Sequence, residues 1–188
     1  MHAVKELPEN CRELCTIDLE KNKKQYYIVN ALSVALGLIV LVPAWLLAPD
    51  GAGFTRGLPE LLLLLAGIVA YVILHEAVHG VCFWYFSKEK PHFGWKNVYA
   101  YAASDCYYRK APYLVIALAP VVLWGVVLAV LAAVLPVECY WTVQLIQLMN
   151  ISGAAGDLYV TWLFLRMPKE LWVIDAGINM RVYIPIEK

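Results

Sequence analysis

The chain has 188 residues, 62% of them hydrophobic and 16% charged, with a mean hydropathy of +0.63. That balance lies outside the usual range for soluble domains and identifies a membrane protein. Fifteen Lys and Arg offset fifteen Asp and Glu, so no global basic surface exists to recruit nucleic acid, and the signal lies in where the charges fall.

Residues 1–25 carry charges of both signs and no apolar h-region, so they read as a cytoplasmic N-terminal segment and not as a cleaved signal peptide. Four apolar runs follow, at Tyr26 to Ala48, Leu61 to Phe86, Pro112 to Leu135 and Tyr140 to Leu165. Each is long enough to cross a hydrocarbon core of roughly 30 Å, which takes about 20 helical residues. Pro49-Asp50-Gly51, Lys88-Glu89-Lys90-Pro91 and Pro136 separate them. The expected fold is an all-α, four-transmembrane-helix bundle over residues 26–166, with cytoplasmic segments at 1–25, 87–111 and 167–188. Lys and Arg set that orientation: Lys5, Arg12, Lys21, Lys23 and Lys24 precede span one, Lys88, Lys90, Lys96, Arg109 and Lys110 lie in the middle loop, and Arg166, Lys169, Arg181 and Lys188 lie in the tail. The two remaining loops hold only Arg56, so both termini and the middle loop are placed in the cytoplasm and the protein in the cell membrane. The five cysteines, Cys11, Cys15, Cys82, Cys106 and Cys139, have no metal or redox spacing and are read as reduced.

Span two contains His75-Glu76-Ala77-Val78-His79. Histidines one helical turn apart point to one side and can share a tetrahedral metal, with Glu76 beside them as base. Ionisable groups at that depth are expensive unless they serve a metal, a proton path or a partner. A polar knot holding helices together is the bland alternative, but Ser, Thr or Asn would serve that purpose at lower cost. A hydrolytic zinc site takes a third protein ligand and leaves the fourth position to water. The metzincin pattern places a histidine where this chain has Tyr85, so the ligand must come from another span. Asp157 is the only other acid inside any span. At about 1.5 Å per residue His79, His75 and Asp157 lie roughly 10, 16 and 12 Å from the cytoplasmic ends of their spans, which lets them meet at one level. Small residues at Ser152 to Gly156 allow close helix approach there. Asn150 lies on the Asp157 face but roughly 10 Å nearer the outside, and is a candidate for substrate hydrogen bonding or interhelical contact.

The middle loop, with Phe93, Trp95, Val98, Tyr99, Tyr101, Tyr107 and Tyr108 and a turn signal at Ser104-Asp105, is expected to form a short β-hairpin. It either clamps an extended substrate, with Tyr99 and Tyr101 as contact residues, or seats as an aromatic belt at the interface. His92 is a spare ligand candidate and reads as a solvated loop histidine. Pro120 is expected to kink span three. In the tail, Asp175-Ala-Gly177 signals a turn and Arg181 to Ile184 a short strand that could pair with the hairpin.

The motifs His75-Glu76-x-x-His79-Gly80, Lys90-Pro91-His92-Phe93-Gly94, Tyr99-Ala100-Tyr101, Ala119-Pro120 and Gly156-Asp157-Leu158-Tyr159 resemble a family of small bacterial and archaeal membrane proteins described as putative zincin peptidases. More distantly the chain is similar to the site-2 proteases, intramembrane metalloproteases with HExxH on one helix and an aspartate ligand on a later one, which implies Asp157 as third ligand. Unlike them, it has no proline between Asn150 and Asp157 and no glycine after the aspartate. The expected activity is intramembrane zinc metalloproteolysis on a membrane-protein or peptide substrate, with Zn²⁺ on His75, His79 and Asp157. A catalytically silent zinc-binding regulatory protein and a transporter are the rival classes.

Overall fold

The computed structural model describes residues 2–53, 57–96, 99–177 and 179–186; Arg56, Val98 and Lys188 lie outside them. Among the described residues, three helices are long and apolar enough to cross a membrane: α1 (Lys23–Leu46), α2 (Leu58–Ser87) and α3 (Lys110–Val134). Their apolar side chains are largely turned outward, as with Val34, Leu38 and Ile39 on α1 and Val122, Val126 and Val130 on α3. In water such surfaces would be a liability, whereas lipid is their natural solvent. Proline interrupts the hydrogen-bond ladder inside two of them, Pro43 in α1 and Pro120 in α3, at an intrinsic cost of about 3 kcal/mol each relative to alanine.

The expected fourth span is not one helix. It divides into α4 (Tyr140–Gly153) and α5 (Ala155–Arg166), with Ala154 at φ −77°, ψ 12° between them. Ser152 Oγ donates back to the Leu148 carbonyl at 2.7 Å, a bond that competes with the helix ladder, and the flanking glycines, 153 and 156, add little helix propensity. The break puts Asp157 in the first turn of α5, where the partial positive charge of the helix start favours a carboxylate. It also removes the continuous helix on which Asn150 and Asp157 were expected to share a face.

Nor is the fold all-α. Strands β1 (Ala3–Val4), β2 (Cys11–Asp18), β5 (Tyr107–Arg109), β6 (Trp172–Asp175) and β7 (Asn179–Pro185) form an antiparallel sheet in the order β1-β5-β6-β7-β2. The expected hairpin exists as a separate two-stranded sheet of β3 (His92–Lys96) and β4 (Tyr99–Ala103), registered His92 opposite Ala103 through Lys96 opposite Tyr99. The tail strand pairs with β2 and β6, and not with that hairpin. Its turn is the one the sequence signals: the Gly177 N–H donates to Asp175 Oδ1 at 2.8 Å with Gly177 at φ +88°.

Two compact units result. The first, Met1–Ile28, Glu76–Pro120 and Asp157–Lys188, holds both sheets and a core of Phe83, Tyr108, Ile116, Phe164, Val173 and Val182. The second, Val29–His75 and Val121–Gly156, is helical; Tyr140 donates to the Ala44 carbonyl at 2.7 Å and the Trp141 indole to the Ala52 carbonyl at 3.0 Å. The division at His75–Glu76 falls inside α2, which is unbroken there.

Candidate metal centre

His75 and His79 stand four residues apart on the continuous α2 and are 8% and 9% exposed. Within the first unit, His79 Nδ1 lies 3.0 Å from the Ile116 carbonyl oxygen of α3. A carbonyl can only accept, so Nδ1 carries a proton, which leaves Nε2 as the ring nitrogen that can serve as a metal ligand. That Nε2 lies 3.6 Å from Asp157 Oδ1. Beside them, Glu76 Oε2 accepts the backbone N–H of Ala102 on β4 at 2.8 Å.

Within the second unit a chain of hydrogen bonds fixes the other imidazole. Asn150, fully buried, donates from Nδ2 to the Val121 carbonyl at 3.1 Å. Its Oδ1 therefore faces Tyr71, whose hydroxyl donates to it at 3.1 Å. Having given its one proton to Asn150, the Tyr71 oxygen accepts from His75 Nδ1 at 2.8 Å. His75 thus also presents Nε2, the same tautomer reached by a different partner, which is how proteins orient metal-binding imidazoles.

The structure brings ligand atoms of His75, His79 and Asp157 within 4.8 Å of one another. Tetrahedral coordination at 2.0–2.2 Å separates ligand atoms by roughly 3.3–3.6 Å, so the 3.6 Å between His79 and Asp157 is at the upper end of the required edge. Two imidazoles and one carboxylate match a hydrolytic zinc set with one position left over. The donor chemistry fits the metal.

Of the other sequence candidates, His92 on β3 pairs with Asp105 at 2.7 Å, both exposed, and is not part of the ligand group. Asn150 is committed to Tyr71 and Val121. Tyr101 lays its ring against Gly94 and Gly177; the backbone of Tyr99 pairs with Lys96. Sequence reasoning passed over Tyr71, the Ile116 carbonyl, and a buried pair in the first unit: the Tyr113 hydroxyl donates to Asp175 Oδ2. Burial pushes the Asp175 carboxyl above its ordinary range, against the opposing effect of that hydrogen bond and of the Gly177 N–H. Tyr71 sits one turn before His75 and reads, by composition, as one more apolar residue of the span; only the contact with Asn150 reveals its task.

No curated protein and no solved structure matches the chain. A family model described as putative zincin peptidase matches residues 68–172, a stretch that contains His75, Glu76, His79, Ile116, Asn150 and Asp157. As that model covers more than half of the 188 residues, the chain belongs to the putative zincin peptidase family.

Proposed function

We propose that this chain is an intramembrane zinc metallopeptidase that cuts membrane-associated polypeptides. The carrying observation is the approach of His75, His79 and Asp157 ligand atoms to within 4.8 Å of one another, in a chain with three apolar helices of spanning length. His75 and His79 would hold the metal through Nε2, and Asp157 would supply the third ligand. When bound, zinc acts as a Lewis acid and makes water acidic enough to deprotonate near neutral pH. Glu76 would take a proton from the attacking water as the water oxygen bonds to the peptide carbonyl carbon, and would deliver it to the amine nitrogen as the C–N bond breaks.

The five-stranded sheet supports the proposed topology. It joins the N-terminal segment through β2, the middle loop through β5 and the tail through β6 and β7, and hydrogen-bonded strands must lie on one side of any bilayer the helices cross. Helices α1 and α2 make one excursion and return; α3 and the α4–α5 pair then make the second. With the Lys and Arg bias, that side is the cytoplasm. The hairpin supports substrate capture by strand pairing, because the N–H of Ala102 on β4 is directed at Glu76 and an extended peptide laid along such an edge is held by its main chain. Tyr99 and Tyr101 on β4 are secondary candidates for substrate contact, whereas Asn150, expected from the sequence to contact substrate, is taken up by Tyr71 and Val121.

The test compares new peptide N-termini in membranes of cells carrying the wild type and the Glu76→Gln variant, with zinc measured on both purified proteins. Equal zinc with cleavage products present only in the wild type is expected. Equal zinc with identical products would instead assign the chain to zinc-dependent binding or regulation.

A further inference from the structure

Pro120 is fully buried in the interior of α3, a position where proline is intrinsically unfavourable. In an α-helix the carbonyl of residue 116 accepts the N–H of residue 120. Proline has no N–H, so the Ile116 carbonyl has lost its regular helical donor. The Ile116 carbonyl is also the group that receives the Nδ1 proton of His79, at 3.0 Å, with Ile116 1% and His79 9% exposed. All three residues belong to the first unit.

We propose that Pro120 is a positioning residue for His79: by withholding a helical N–H it leaves the Ile116 carbonyl to the imidazole, which fixes His79 with its proton on Nδ1 and its Nε2 toward Asp157. A carbonyl bound in the ladder is drawn parallel to the helix axis, whereas one without that donor can tilt outward to a neighbouring helix. The kink expected of a transmembrane proline is then secondary to the acceptor it releases. Only the last step, that the presented Nε2 binds zinc, rests on the metallopeptidase reading.

The experiment uses the full chain in detergent. Pro120→Ala restores the N–H; the α-hydroxy analogue of alanine at position 120 places an ester oxygen there instead and restores nothing. Zinc affinity is measured by competition with a chromophoric chelator. The nitrogen chemical shifts of the His79 ring are read in the zinc-free protein at a pH high enough to make the ring neutral, assigned by their loss in His79→Gln. Pro120→Ala is expected to weaken zinc roughly 10-fold, within the range seen when partners of metal-bound histidines are removed, and to shift His79 from the Nδ1–H form to a mixture of tautomers. The ester is expected to keep wild-type affinity and tautomer. Unchanged affinity and shifts in Pro120→Ala, or an ester as impaired as the alanine variant, overturn the proposal. If Pro120→Ala fails to fold, the wild-type spectrum still decides, since an Nε2–H tautomer overturns it. A wild type that binds no zinc sinks the metallopeptidase reading alone, because the tautomer comparison needs no metal.

Discussion

Ala102 donates its backbone N–H to Oε2 of Glu76 at 2.8 Å, so one carboxylate both stands between the two histidines in sequence and anchors the β3–β4 hairpin to α2. These two roles separate on substitution. Glu76→Gln keeps an oxygen acceptor for Ala102 but no longer takes up a proton. It is expected to leave zinc content and thermal stability near wild type while peptidase activity falls roughly 10²- to 10⁴-fold, the usual contribution of a positioned acid–base group. Glu76→Ala removes the acceptor as well, and should additionally expose the hairpin to proteolysis. Equal hairpin protection in the two variants would show that the Ala102 contact contributes nothing to order.

Metal removal is expected to act on stability as well as activity. A ligand that binds only the folded chain stabilises it by about 2.7 kcal/mol at a concentration 100 times its dissociation constant. Chelation should therefore lower the thermal midpoint of the wild type in detergent. Asp157→Ala, with two imidazoles left, should bind zinc much more weakly and show little response to the chelator. An Asp157→Ala protein with wild-type zinc affinity would remove Asp157 from the ligand set.

The grouping of His75, His79 and Asp157 was legible in the sequence because its information is local: the HExxH spacing is a property of one helix, and Asp157 is conspicuous as an acid in an apolar run. The five-stranded sheet was not. Its strands β2 and β7 pair the first and last parts of the chain, from Cys11 opposite Pro185 to Asp18 opposite Asn179, with a register shift between Glu13 and Cys15. Such pairing leaves no local trace beyond short β-compatible stretches. The division at Ala154 was hidden for a different reason. Ala, Gly and Ser satisfy the hydropathy of a span as readily in a broken helix as in a continuous one, and it is the Ser152 back-bond that marks the difference.

Two glycines of the first unit should respond differently to alanine. At Gly80 a Cβ would overlap the Phe93 ring, but Phe93 is 58% exposed and can swing aside. At Gly177 a Cβ would overlap the Tyr101 ring, and the residue holds φ +88°, a left-handed conformation costing about 1–2 kcal/mol for a residue with a Cβ. Gly177→Ala should thus destabilise more than Gly80→Ala in thermal unfolding. Tyr101→Ala should relieve the overlap but not the backbone strain, so the double variant recovers only part of the loss. Full recovery would place the entire cost in the ring contact.

Tyr71→Phe removes one oxygen from the relay that runs from the Val121 carbonyl through Asn150 and Tyr71 to His75. Deleting one partner of a buried hydrogen bond costs about 1–3 kcal/mol, and loss of a partner that orients a metal-binding histidine weakens the metal roughly 10- to 100-fold. Both effects are expected, with His75→Ala abolishing the second. The relay further predicts non-additivity. Once Asn150→Leu has removed the acceptor of the Tyr71 proton, that hydroxyl can donate to His75 instead, which favours the opposite tautomer, so Asn150→Leu alone should weaken zinc although Asn150 is not in the ligand group. Adding Tyr71→Phe to it should then cost less affinity than Tyr71→Phe does in the wild type. A double-mutant cycle on zinc affinity measures this coupling directly; strictly additive losses would mean that Asn150 and Tyr71 act on the site separately and that the proton order along the relay is wrong.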